Sequence, residues 1–172
     1  MNWPTRPLKS TDKNFVTKTW VEQLRWRQYP FCEMSQDAIS KLSVRIRSLV
    51  DVAKLIIACD EKDDDVIYGF ICYEDGPYLG NDTPTLHFVW TRNKLRRNGV
   101  ANILLSQAFG KDHGPLHYTH ITKALNNGNL KKKWRLKNYD PYLIEGALFR
   151  DARKIDTRAI YWSQIPGQVS PT

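Results

Sequence analysis

Apolar residues recur every third or fourth position along the first fifty residues, then alternate or run together, so the chain reads as helices first and a sheet afterwards. Val16, Trp20 and Leu24 share one helical face between Ser10 and Tyr29. Ser10 or Thr11 is positioned to cap that helix and Pro30 to close it. A second helix starts at Ser35 as N-cap and carries the stripe Ile39, Leu42, Ile46, Leu49 and Val50. Lys54 to Cys59 and Val66 to Tyr73 read as two strands of a hairpin about the acidic turn Asp60 to Asp65. The apolar and β-branched run Thr85 to Thr91 is a third strand, and Val100, Ile103, Leu104 and Ala108 mark a third helix. After the turn Gly114-Pro115 come a strand from Leu116 to Thr122 and a basic helical stretch from Asn129 to Lys137. Helices and strands mixed in this way make an α/β domain, expected to span residues 1–160. Ala147 to Ile160 fits no element, and 161–172, rich in Pro, Gly and polar residues, reads as a loose tail.

Between the third strand and the third helix lies Arg96-Arg97-Asn98-Gly99-Val100-Ala101. A basic glycine turn ahead of a helix aims several backbone N–H groups and the positive end of the helix dipole at one point, which suits a phosphate. The ligand implied is an anion. Neither G-x-x-x-x-G-K-[ST] nor G-x-G-x-x-G occurs, which disfavours ATP-type and dinucleotide-type loops.

The run matches R/Q-x-x-G-x-G/A, with Arg96, Gly99 and Ala101 at the defining positions. With the order of elements, the chain resembles the GCN5-related N-acetyltransferase (GNAT) superfamily over roughly residues 10 to 150. That resemblance implies a mixed, mostly antiparallel central sheet flanked by helices. It implies acetyl-CoA or another acyl-CoA as co-substrate, held by Val89, Trp90, Arg96, Arg97, Asn98, Gly99, Val100 and Ala101, and an amine as acceptor. A bulge in the motif strand would admit the pantetheine arm, and an N–H near Val89 or Trp90 would polarise the acyl carbonyl.

An amine that attacks a thioester must lose a proton, and His87 is the first candidate base, mid-strand and alternating to a face with Thr85 and Val89. The competing reading is an ordinary packed histidine. Glu74 and Asp75 are fallback bases, or else members of an exposed turn with Gly76-Pro77. The family's usual tyrosine acid falls at Trp134, whose indole N–H cannot serve, so Tyr139 or Tyr142 is expected to stand in, and thiolate departure to solvent is the alternative. Tyr118-Thr119-His120-Ile121-Thr122 and Tyr139-Asp140-Pro141-Tyr142-Leu143 are similar to small GNAT-like proteins encoded in bacteriophage genomes, with a Mu-type adenine-modifying enzyme as one comparison. A virion component that kept the fold and lost the chemistry is the other.

Composition narrows this picture little. The chain has 172 residues, 41% of them hydrophobic, enough for one core. Its first residues lack an apolar signal region and no stretch is long enough to span a bilayer, so the expectation is a cytoplasmic protein without membrane contact. Cys32, Cys59 and Cys72 lack metal spacing; Cys59 should face about Ile67 and Cys72 should face Lys54, too far apart for a disulfide. His113, His117 and His120 do not converge on alternating strand positions, and no metal is expected. Charge is lopsided: residues 1 to 90 hold 11 Lys and Arg against 13 Asp and Glu, and residues 91 to 172 hold 15 against 5. The basic half contains the glycine turn and Lys131, Lys132 and Lys133, which suit either a solvated helix face or a nucleic-acid partner. A non-catalytic nucleic-acid-binding or virion-associated module on the same fold is therefore the alternative function.

Overall fold

The computed structural model describes residues 3–27, 35–75, 83–120 and 129–138. In chain order these form β1 (Thr5–Pro7), α1 (Lys13–Arg27), α2 (Gln36–Val52), β2 (Lys54–Cys59), β3 (Ile67–Glu74), β4 (Thr85–Thr91), α3 (Val100–Phe109), β5 (Leu116–Tyr118), α4 (Asn129–Lys133) and β6 (Leu136–Asn138). The six strands make one sheet in sequence order, antiparallel from β1 to β4 and parallel from β4 to β6. No helix among the described residues is long and apolar enough to cross a membrane.

Both faces of the sheet are covered, which explains why β2 and β3 are apolar at almost every position rather than at every second one. On one face Leu55, Ile57, Phe70, Cys72 and Phe88 pack against Val16, Trp20 and Leu24 of α1 and Ile46 and Val50 of α2. Trp20 lies parallel to the Phe88 ring with centroids 4.8 Å apart. On the other face Ala58, Ile71, Tyr73 and Leu86 pack against Val100, Leu104 and Leu105 of α3, joined by Leu116, Tyr118, Trp134 and Leu136. Each fully buried side chain of this size contributes about 1.5–3 kcal/mol.

Three local expectations need correction. The first helix is entered through a 3-10 turn, Ser10–Asp12, with no side-chain cap from Ser10 or Thr11. Asp12 instead accepts from the Lys9 N–H at 2.8 Å and pairs with Arg6 at 2.6 Å, anchoring β1 to the start of α1. Burial disfavours the Asp12 carboxylate, but these bonds outweigh it and hold its carboxyl below the usual range. Strand β1 itself carries no sequence signal, being three residues that end in proline. The helical stretch expected from Asn129 to Lys137 stops at Lys133, because Arg135 adopts φ 47°, and Leu136–Asn138 pairs with β5 instead. Cys59 does face Ile67, whereas Cys72 faces Leu55, one residue from the expected Lys54. Cys32, the end of the first helix beyond Arg27, the proposed tail and most of the last third of the chain lie outside the described residues.

Helix α3 approaches the sheet closely at Gly69. A Cβ there would stand 2.7 Å from the Trp90 carbonyl oxygen and 3.0 Å from Val100 Cγ1. Backbone cannot retreat as a flexible side chain can, so Gly69→Ala should cost about 1–3 kcal/mol, seen as a lower denaturant midpoint with an unchanged m-value.

Candidate active site

Strand β4 contains one residue more than its partner can match. Cys72 faces Phe88 and Tyr73 faces Leu86, which leaves His87 as the extra residue of a β-bulge. The extra residue reverses the alternation: Leu86 packs on the α3 side, and Phe88, two residues later, packs on the α1 and α2 side. In a regular strand the two would share a face. The expected face of Thr85, His87 and Val89 is therefore broken, since Val89 lies with the α3-side core.

Past the bulge, the Arg92 N–H donates to the Tyr68 oxygen on β3 at 2.8 Å, which fixes the sense of the ladder. Trp90, two residues earlier, also turns its N–H and C=O toward β3, and Val89 and Thr91 turn theirs to the opposite edge. Strand β5 pairs with that edge only at Thr85 and Leu86, through bonds from His117 N–H to the Pro84 oxygen (3.0 Å) and Thr119 N–H to the Leu86 oxygen (3.1 Å). Among the described residues, no strand covers Val89 or Thr91 there. Of the two sequence candidates for the carbonyl-binding amide, Val89 stands on the open edge and Trp90 does not.

The glycine turn lies at the same end of β4. Gly69, cross-strand from Thr91, packs beneath Val100 and Leu104, so α3 begins over the last residues of β4. Arg97 and Gly99 both hold positive φ, 67° and 88°. For Gly99 this conformation carries no Cβ penalty, while for Arg97 it costs about 1–2 kcal/mol. The first bond of the helix runs from Ile103 N–H to the Gly99 oxygen at 3.1 Å, which leaves the N–H groups of Val100, Ala101 and Asn102 without acceptors inside the helix. A Cβ built on Gly99 meets nothing within 4 Å, so open space fronts the turn. Arg92, Lys94, Arg96, Arg97 and Asn98 are all exposed around it. Anion binding is the chemistry this arrangement favours.

His87 and Glu74, separate candidates in the sequence, are brought together. His87 Nε2 lies 3.2 Å from Glu74 Oε1, and His87 Nδ1 lies 3.2 Å from Thr119 Oγ1. Thr119 Oγ1 is 2.8 Å from His120 Nδ1, which is 3.2 Å from the His87 carbonyl oxygen. Burial pushes the His87 pKa down against the opposing pull of Glu74; burial and the neighbouring His87 push His120 down to about 4. Both imidazoles are thus neutral at pH 7. One assignment of protons serves all these contacts: His120 Nδ1–H donates to the His87 carbonyl and Thr119 Oγ1, Thr119 O–H to His87 Nδ1, and His87 Nε2–H to the Glu74 carboxylate. The His87 side chain is 1% exposed and that of Glu74 is 23% exposed, so of this acid–imidazole pair the carboxylate is the member that an incoming amine can reach. Asp75, the other fallback base, is paired with Lys54 at 2.6 Å.

The tyrosine position holds no acid. Trp134 is buried, stacks on His113 with centroids 4.7 Å apart, and donates its indole N–H to Asn102 Oδ1 at 3.2 Å. Tyr139 and Tyr142 lie outside the described residues. Burial raises the thiol pKa of Cys59 and Cys72, so both are un-ionised thiols at neutral pH. Thr119 and Trp3, whose indole N–H donates to the Asn98 oxygen at 3.0 Å, escaped sequence reasoning because their partners are remote in the chain.

No protein-family model matches the sequence, and no curated protein is similar to it. Solved acetyltransferases share the fold. A possible acetyltransferase from Clostridium difficile 630 aligns with TM-score 0.54 and 14% identity, over 80% of this chain and 91% of that one. Ribosomal-protein-alanine N-acetyltransferase from Brucella melitensis biovar Abortus 2308 aligns at 0.52 and 11%, over 81% and 94%. Aminoglycoside N-acetyltransferase AAC(6')-Iy, solved in complex with CoA, aligns at 0.50 and 11%, over 81% and 90%. The fold is the GNAT fold, a mixed sheet flanked by helices.

Protonating the half-buried His120 must work against the fold. Its depressed pKa means the unfolded chain takes up a proton first, so stability present above about pH 6.5 is lost as pH falls toward the folded value of about 4. Thermal melts from pH 7 to pH 4 should show this loss, about 3 kcal/mol at most for a shift to about 4. His120→Asn should flatten that part of the profile.

Proposed function

We propose that the chain is an N-acyltransferase that takes its acyl group from an acyl-CoA, with acetyl-CoA as the simplest donor. One observation carries this reading: a strand edge at Val89 that no described strand covers and an anion-binding turn at Gly99 stand at the same end of β4. A ligand with a linear amide arm and a diphosphate matches both. The shared fold and the CoA in the aminoglycoside enzyme support it.

The residues fit such a donor. Val89 N–H, on the open edge, is placed to bond the thioester carbonyl. The amides of Gly99, Val100 and Ala101, with Arg96 and Arg97 beside Asn98, are placed to hold the diphosphate, and Trp90 backs the strand from the β3 side. Acetyl-CoA supplies an acyl group activated as a thioester. Val89 steadies the negative charge that gathers on the carbonyl oxygen as the amine nitrogen bonds to the acyl carbon and the carbon–sulfur bond breaks. Glu74 accepts the proton released by the amine. His87, through its Nε2–H, orients that carboxylate, and Thr119 sets the tautomer of His87. The thiolate takes its proton from water or from Tyr139, the hydroxyl that the sequence offers in place of the missing tyrosine.

A second reading has one observation in its favour. Lys131, Lys132, Lys133, Arg135 and Lys137 are all exposed within seven residues, and Lys133 bonds Asn102 of α3 at 3.2 Å, which continues the basic surface of the glycine turn. That surface suits a nucleic acid, either as the carrier of the acceptor amine or as the partner of a non-catalytic module.

Acetyl-CoA at a hundredfold excess over its Kd should stabilise the protein by about 2.7 kcal/mol, raising the melting temperature by about 5–10 °C. Gly99→Val, strained at φ 88°, should abolish that rise. No rise with acetyl-CoA, together with a rise in duplex DNA that fades as salt increases, would establish the binding module instead. Glu74→Gln should lower kcat by about 10²- to 10⁴-fold and leave the acetyl-CoA melting shift intact; an unchanged kcat would remove Glu74 from the mechanism.

A further inference from the structure

We propose that Trp3 is a positioning residue for the anion-binding turn, and that the N-terminal strand serves to bring it there. The inference rests on the acyl-CoA reading of the site. Asn98 sits between the two left-handed residues of the turn, Arg97 and Gly99. Its carbonyl oxygen and the Gly99 N–H belong to one planar trans peptide, in which the two groups point in opposite directions. The Trp3 indole N–H donates to that oxygen at 3.0 Å across 95 residues of sequence. Held on the Trp3 side by this bond, the carbonyl turns the Gly99 N–H to the opposite side, away from Trp3. A peptide flipped at this point would present an oxygen to an incoming phosphate.

Trp3 is itself held. Its ring meets Tyr68 edge-on with centroids 5.5 Å apart, and Tyr68 donates its hydroxyl to Asp60. Arg92, of the same basic segment, lies over the Tyr68 ring at 6.0 Å. The next residue, Pro4, accepts the Cys59 N–H at 3.0 Å and leads into β1. The turn's own local bond, Asn98 N–H to the Leu95 oxygen, is long at 3.4 Å and belongs to the preceding Arg97–Asn98 peptide, so it does not fix the orientation of the Asn98–Gly99 peptide.

Trp3→Phe keeps a ring against Tyr68 and removes the donor. The variant should bind CoA about 5- to 20-fold more weakly, as expected for one lost hydrogen bond. With acetyl-CoA, KM should rise with kcat unchanged. With S-acetylpantetheine, which has the thioester arm and lacks the diphosphate, both constants should match the wild type. Unchanged CoA affinity, or an equal loss with both donors, overturns the assignment to the turn. Failure of the wild-type protein to bind CoA overturns the acyl-CoA reading. The claim about Trp3 has its own readout in the ligand-free protein, where the amide signals of Gly99, Val100 and Ala101 should broaden in Trp3→Phe as the Asn98–Gly99 peptide exchanges between two orientations. Unchanged amide signals refute it.

Discussion

A strand inside a sheet normally has both edges bonded, and among the described residues β4 is paired along only part of one. Val89 and Thr91 direct their backbone polar groups to a side that β5 leaves after two paired residues. A buried N–H or C=O without a partner costs about 1–3 kcal/mol, so such an edge persists only where water or a ligand can reach it. The rest of the architecture follows from that constraint. The sheet is antiparallel where it must be closed and parallel where it must open, and α3 is seated so that its first turn meets the opening.

Rigidity around the opening is supplied by packing behind it. Gly69 lets α3 lie close on β3 and β4, and the α3-side core binds β5 and β6 to the same helix. The two sides of the wedge are therefore fixed by packing rather than by bonds across it. On the opposite face Trp20 and Phe88 stack next to the imidazoles, and His120 meets the Trp20 edge at 5.6 Å. That apolar wall is the source of the low imidazole pKa values, so the chemistry of the carboxylate–imidazole pair is set by the hydrophobic core behind it.

Much of this was legible in the residues and some was not, for identifiable reasons. The helices around Val16 and Ile46, the hairpin around the acidic turn, and the strand, turn and helix about Gly99 all follow from periodicity and turn chemistry. The bulge was expected only through the family resemblance, near Val89 or Trp90, and its place at His87 was not legible, because one added residue leaves no mark in a run as apolar as Thr85 to Thr91. Every facing argument made across it was accordingly inverted beyond His87. Strand β1 and the Trp3 contact depend on pairing with partners far along the chain. The break at Arg135 arises where a residue of fair helix propensity is forced into positive φ by the pairing of Leu136 with Leu116. Histidine and glutamate could be nominated as bases singly, but their pairing required the register of β3 on β4.

The bulge separates two kinds of change that sequence comparison usually treats alike. Exchange of the His87 side chain alters the hydrogen-bonded chain to Glu74 and Thr119 but preserves the length of the strand. Deletion of the residue would make Leu86 and Phe88 neighbours, which alternate to the opposite faces they already occupy, so both hydrophobic layers would stand while the bulge and the link to Glu74 and Thr119 disappear. The extra residue is thus carried by the sheet without being needed for either layer of the core. A descendant that lost it would keep its fold and forfeit the kink in β4 together with the imidazole held there.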